Sequence, residues 1–340
     1  MSDIPFCRCH TADHPASIKE ELAAQMRKLK ATFDIKTVMD HNRMAAAPNV
    51  NINESITIPV VFHLLCPVSN TNDGTGIDPD TDLDIFINTL NDAYTVSPSK
   101  IKYYDLSVDQ LASQVFGGNH SYASQYHDYV HNRPHPCPIT FVKSKVINTG
   151  AQISTTMDAD QTVKINGSPV QYVDGYPHAR ALNIWFVTFT DGTLGYAQFP
   201  SDQKTKPATD GVVIHWTTIK PGYHGGMSQY TGNKTAVHEI GHWLGLYHVF
   251  QSTIGGNDPM AIDYEGKNDS LETQGDDVVD TPPQSTPTYG NPFTSQQWPT
   301  YHHNLSMFMN YMDYVDDDAM FMFTHDQVLK IMMFIHMFRS

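Results

Sequence analysis

Cysteine is scarce in this chain: Cys7, Cys9, Cys66 and Cys137 are the whole complement among 340 residues, and none follows position 137. A small scaffold stapled by disulfides is thereby excluded, so a hydrophobic core must carry the fold. No apolar run approaches the roughly 20 residues of a membrane-spanning helix, and no membrane partner is expected. Basic residues are also few, 21 against 36 acidic ones, giving a net charge of -15. Nucleic acid, which needs a basic surface, is not an expected partner. The opening MSDIPFCRCH lacks a charged leader followed by an apolar core, so no secretory signal is visible. Few cysteines fit a reducing compartment, whereas sequons at Asn53, Asn119, Asn233, Asn268 and Asn304 are potential glycan acceptors in a secreted chain. The compartment stays open.

Hydrophobic residues make up 40% of the chain, enough for one sizeable core or two lobes. The most informative stretch is HEIGHWLGLYH, His238 to His248. As a helix it sets His238 and His242 one turn apart on one face, where both imidazoles reach one ion. Glu239 lies at the edge of that face and can take a proton from a metal-bound water without being a ligand. Gly245 can end the helix, because glycine enters the left-handed conformation at little cost. The turn then returns His248 as a third ligand. Three protein nitrogens leave a fourth position of zinc open, the arrangement of a catalytic site. An amphipathic core helix with Val237, Ile240, Leu244 and Leu246 buried would explain the apolar positions but not the histidine spacing. Far downstream, NYMDYVDDDAM sets Met312 in a polar, turn-prone context, where the extended signature calls for a methionine turn beneath the metal.

Together these motifs resemble the metzincin metallopeptidases, and among them the pappalysin family. IPVVFHLL at 58–65, LNIWFVTFTDGTLGYAQFP at 182–200, TDGVVIHW at 209–216, GDDVVDTPPQ at 275–284 and the final FTHDQVLKIM extend the resemblance from about residue 55 to the end. The resemblance implies an α+β, zincin-like metzincin fold. A twisted mixed sheet with an active-site helix and a backing helix would form an N-terminal lobe, 53–245, and residues 246–340 an irregular C-terminal lobe, with zinc on the floor of the cleft between them. Residues 1–52 would be a prosegment and linker. The implied function is zinc-dependent endopeptidase activity on protein or peptide substrates, made in a latent form. A non-catalytic, zinc-stabilised binding protein on the same scaffold is the alternative. The oligomeric state is not legible.

The resemblance also assigns residues. Glu239 is the general base and Tyr314 the donor to the tetrahedral oxyanion. Gly195, Tyr196 and Ala197 belong to the edge strand that pairs with extended substrate. Asp276, the carbonyl of Val279 and Thr281 would hold calcium, with an ordinary acidic turn as the alternative. Asp317, five residues after Met312, would line the S1′ pocket and select Arg or Lys, so that cleavage falls on the N-terminal side of a basic residue. The run Asp316-Asp317-Asp318 also reads as an exposed turn or as further calcium ligands. Arg8-Cys9-His10-Thr11 resembles a pappalysin latency motif in which the cysteine sulfur occupies the open zinc position. His10 stands where that motif has glycine, and Cys7 competes for the role. GGN at 255–257 stands where the family often has GGC.

Elsewhere the chain reads by pattern. SIKEELAAQMRKLKATF is helical, with Ser17 as N-cap and Glu20 as its capping-box partner. SITIPVVFHLL, PITFVKSKV, ALNIWFVTF and TDGVVIHW have strand character, and LDIFINTLNDAYT that of an amphipathic helix. Residues 99–138 match the family poorly and look like an insertion. Its histidines at 120, 127, 131 and 135 fit no recognisable metal spacing. His63 and His215 read as packed strand residues, and Thr231 or Asn233 as the cap of the zinc helix.

Overall fold

The computed structural model describes residues 54–69, 75–95, 98–156, 160–219, 228–251, 276, 278, 280–284, 286–301 and 303–340. The segment expected to be a prosegment helix, Cys7, Cys9, the GGN stretch and Val279 lie outside the described residues.

Strand β1, Ile56–Leu64, is buried along nearly its whole length, as a run of Ile, Val and Phe between two neighbouring strands requires. The first helix, α1, Thr81–Thr95, buries Leu83, Phe86, Ile87, Leu90 and Tyr94, the stripe its apolar spacing dictates. Acidic Asp82 and Asp84 sit in its first turn, where the helix dipole favours them. Helices α2, Val108–Gln114, and α3, His120–Asn132, follow. Ser107 and Gln110 close a capping box on α2, and Asn119 caps α3. The inserted region is thus folded: Tyr126 and Tyr129 are buried, and the Tyr129 hydroxyl donates to the Leu305 carbonyl at 2.7 Å.

The remaining strands are β2, Ile139–Asn148, β3, Ser154–Thr155, β4, Leu182–Phe189, β5, Gly195–Ala197, and β6, Val212–His215. They build a mixed sheet in the order β2-β1-β4-β6-β5, with β3 on β4. All pairings are parallel except β5 on β6, which is antiparallel and puts Gly195–Ala197 at the sheet edge. One face is covered by α1, where Phe86 meets Phe62 and Phe186 edge-on at centroid distances of 5.5 and 5.7 Å. Aromatic pairs of this geometry contribute about 0.5–1.5 kcal/mol beyond their burial. Asn91 clips α1 to β2 by exchanging two hydrogen bonds with the Phe141 backbone.

Helix α4, Lys234–Trp243, lies on the sheet and is entirely buried from Thr235 onward. A short helix α5, Pro292–Ser295, the two-residue strands β7, Thr300–Tyr301, and β8, Asn304–Leu305, and a long final helix α6, His325–Phe338, complete the chain. A single apolar cluster runs from Ile56 through Val237 and Met312 to Ile335, so segments on both sides of Gly245 share one core. His63 is a satisfied core histidine. Its ring nitrogens meet Ser168 Oγ at 2.7 Å and Asn183 Oδ1 at 2.8 Å, and it stacks on Trp185 at 4.6 Å.

Candidate metal centre and active site

Helix α4 brings His238 and His242 to one face, and the chain after Gly245 returns His248 to them. Gly245 has φ +102, and a Cβ there would lie 2.6 Å from the Phe334 ring, so glycine is required by conformation and by space. The Nδ1–H of His238 donates to the Tyr311 carbonyl at 2.7 Å, and that of His242 to the Leu246 carbonyl at 2.7 Å. These bonds fix the tautomer and direct each Nε2 lone pair inward, as metal-binding imidazoles require. His242 Nε2 lies 3.2 Å from His238 Nε2 and 3.0 Å from His248 Nε2. A tetrahedral zinc with Zn–N of about 2.0–2.1 Å would set its nitrogens about 3.3 Å apart. Burial pushes His242 down to about 4 and His248 well below the usual imidazole range, His242 adding to the latter effect. His242 and His248 are therefore neutral, and the three imidazoles converge as a zinc ion requires.

Glu239 is fully buried beside them. Gly195 of β5 lies against it, and a Cβ there would meet Glu239 Cγ at 2.9 Å. Met312 is buried beneath the helix, its Sδ 2.6 Å from where a Cβ on Gly241 would be. Its backbone N–H donates to Asn310 Oδ1 at 2.9 Å, and Asn310 in turn exchanges side-chain hydrogen bonds with Gln327. The methionine turn is therefore pinned to the start of α6. The Tyr314 hydroxyl is 3.2 Å from His248 Nε2. Phe250 stacks on His248 at 4.7 Å and meets Tyr314 edge-on at 4.8 Å, while Tyr289, 59% exposed, is 5.9 Å from the Tyr314 ring. Phe250 and Tyr289 were not legible from the sequence. Phe250 stands two residues after His248, but Tyr289 sits in an irregular stretch that carries no signal. Asp313 organises this wall, accepting from Gln284 Nε2, Thr288 N and Tyr314 N at 2.8 to 2.9 Å.

Asp317 is placed differently from a freely exposed turn residue. It is 5% exposed, and its Oδ2 accepts the backbone N–H groups of Gly232 at 2.8 Å and Lys234 at 3.2 Å. It therefore caps the N-terminus of the helix bearing His238 and His242. This corrects the expectation that Thr231 or Asn233 is the cap. Asn233 is left-handed at φ 64 with no side-chain cap bond, and Thr231 donates to the Ser228 carbonyl. The left-handed turn aims the Asn233 side chain at Thr89 instead. Of the residues assigned to calcium, Asp276 and Thr281 are adjacent, the Thr281 hydroxyl donating to Asp276 Oδ1 at 2.7 Å. The Asp276 carbonyl accepts from the buried Lys330 ammonium at 2.8 Å. Among the described residues, the histidines of the inserted region form no metal-binding group of three; His127 and His131 stack on each other at 4.0 Å.

Residues 182–336 match the family model Peptidase_M43, described as pregnancy-associated plasma protein-A. Extracellular metalloprotease 1 of Coccidioides posadasii is 34% identical over 163 residues, 47% of this chain and 51% of that protein. An extracellular metalloprotease of Pyricularia oryzae is 36% identical over 163 residues, 47% and 50% of the two chains. The chain spans about half the length of the curated relatives it matches. Among solved structures, Tannerella forsythia mature mirolysin in complex with a cleaved peptide superposes with a TM-score of 0.54 and 28% identity, covering 82% of this chain and 90% of that one. A promirolysin mutant from the same organism covers 95% and 92% with a TM-score of 0.55 at 24% identity, a likeness of fold.

Proposed function

We propose that the chain is a zinc endopeptidase of the pappalysin type, on the match of residues 182–336 to that family's model and the three converging imidazoles. The observation that carries this reading is that His242 Nε2 lies 3.2 and 3.0 Å from the Nε2 atoms of His238 and His248, with the Nδ1 atoms of His238 and His242 held by backbone carbonyls. When bound there, zinc would supply Lewis-acid polarisation of the scissile carbonyl and an acidified water. Glu239, the buried carboxylate beside the ligands, takes the proton of the attacking water and passes it to the leaving amine. The Tyr314 hydroxyl, on the rim by His248, donates to the developing oxyanion. An extended substrate pairs along β5 at the edge of the sheet, where main-chain bonds give affinity with little demand on sequence. The relatives named extracellular support secretion and give no support to the reducing compartment that the low cysteine count suggested.

The finer readings concern specificity, latency and calcium. Asp317 selects Arg or Lys after the scissile bond if its second oxygen faces the S1′ pocket while Oδ2 caps α4. Cys9 restrains the enzyme from the prosegment, and calcium binds around Asp276, Val279 and Thr281. The test is digestion of a mixed peptide library by the full chain and by protein lacking residues 1–42, with Glu239→Ala as control. We expect cleavage before Arg or Lys, raised by truncation and lost in the control. Asp317→Asn keeps an oxygen for the helix amides while removing the charge, so it should fold yet lose basic preference; unchanged preference leaves Asp317 as a cap alone. No cleavage by either zinc-loaded wild-type form would favour a binding protein on this scaffold.

A further inference from the structure

We propose that Asp280, His325 and Asp326 form a second divalent-cation site, distinct from the three imidazoles, which takes a zinc-class ion and fastens the 280–284 stretch to the start of α6. One ligand atom from each of the three residues lies within 4.8 Å of the others. Asp326 is 7% exposed, and its Oδ2 has no hydrogen-bond partner; Asp280 Oδ1 is likewise buried without one. The other oxygens are engaged. Asp280 Oδ2 accepts the Asp326 backbone N–H at 3.0 Å, and Asp326 Oδ1 meets His325 Nδ1 at 2.9 Å.

An acidic residue in a first helical turn ordinarily serves the helix dipole. Here Thr324 and Gln327 close a capping box and Asp280 takes the Asp326 amide, so the Asp326 carboxylate is not needed by either group. Arg133 approaches the pair from the end of α3. Its Nη1 donates to the Asp280 carbonyl at 2.9 Å, and its Nε and Nη2 to Asp128 Oδ2 at 3.1 and 2.9 Å, so Asp128 already answers its charge. Two buried carboxylates facing each other must share a proton or a cation. In keeping with that strain, burial and Asp326 push the Asp280 carboxyl upward.

The donor chemistry favours the cation's class. Calcium asks for six to eight oxygens, whereas two carboxylates and an imidazole match the borderline divalent metals, zinc among them. His135 stands beside His325 with ring centroids 4.7 Å apart. The His325 amide donates to the Arg133 carbonyl at 2.9 Å, so an ion here would tie three segments of chain at one point. A chain with no cysteine after position 137 has no disulfide available for that role.

The test uses the full chain, stripped with a chelator, reloaded with excess zinc and freed of loose ion by gel filtration. Metal content is then measured by inductively coupled plasma mass spectrometry. Asp326→Asn and His325→Ala should each hold about one zinc fewer than wild type. His242→Ala should still gain thermal stability on zinc addition, and that gain should vanish in the double variant with Asp326→Asn. Equal zinc content in wild type and both single variants would overturn the site and leave a carboxyl pair sharing a proton. The comparison is by difference, so failure of the active-site histidines to bind zinc would be seen separately in His242→Ala.

Discussion

Gly195 shows how closely single atoms are specified at this site. Its absent side chain leaves room for Glu239, and a methyl group would also meet the Val213 carbonyl and Ile214 Cδ1 at 3.1 Å. The backbone of β6 cannot yield, so Glu239 would have to move. Displacing a general base by about 1 Å costs on the order of 10²-fold in rate. Gly195→Ala should therefore fold, hold its zinc and lose kcat/KM by roughly that factor in initial-rate assays. Unchanged rates would mean that Glu239 is not held at a critical position. Residue identity of this kind is visible in the sequence only as a glycine near a strand end, because its reason is a side chain 44 positions away.

At the scale of elements, α4 is held at both ends by parts of the chain remote from it. Asp317 caps the start. At the other end Arg339, 1% exposed, pairs with Asp210 at 2.9 and 3.2 Å, donates to the Trp243 carbonyl from Nε and Nη2, and lies 3.4 Å over the Trp243 ring. The Trp243 indole N–H also donates to Asp210 Oδ1 at 3.0 Å. Removing one partner of a buried pair strands the other charge and costs about 3–5 kcal/mol. Arg339→Met should lower unfolding stability by that order in denaturant titration, and adding Asp210→Asn should recover part of the loss. If the double variant were as unstable as the sum of both single ones, the pair would not be the source of the effect.

For the whole molecule, buried titratable groups set the response to acid. His63, His215 and His242 are each lowered to about 4 from 6.5, chiefly by burial, and His248 falls further. Below 6.5 the unfolded chain takes protons that these folded histidines refuse, so their stability contribution is present at neutral pH and lost as pH falls. Asp313 acts oppositely. Burial raises it to about 6 from 3.8, so its contribution is present at low pH and lost as pH rises through 6; Asp280 moves in the same direction. Four histidines outweigh two carboxylates. Metal-free protein should therefore lose stability between pH 7 and 5, less steeply below 6 than the histidines alone would give, as followed by denaturation midpoints. A midpoint that rose on acidification would contradict the buried, neutral state of these imidazoles.

What the sequence by itself determined were the features set by local spacing. The 3.6-residue period puts His238, Glu239 and His242 on one turn, the apolar run of Ile56–Leu64 reads as a buried strand, and Gly245 announces a left-handed turn. The α1 stripe is legible for the same reason. Only the tertiary structure decided which distant groups meet. It made Asp317 the cap in place of Asn233, set Phe250 and Tyr289 around Tyr314, folded the inserted region into helices, and joined Asp280 to Asp326. Spacing along a helix or strand is fixed by backbone geometry, whereas contacts across 46 or 83 positions depend on how whole elements pack, and no local pattern records that.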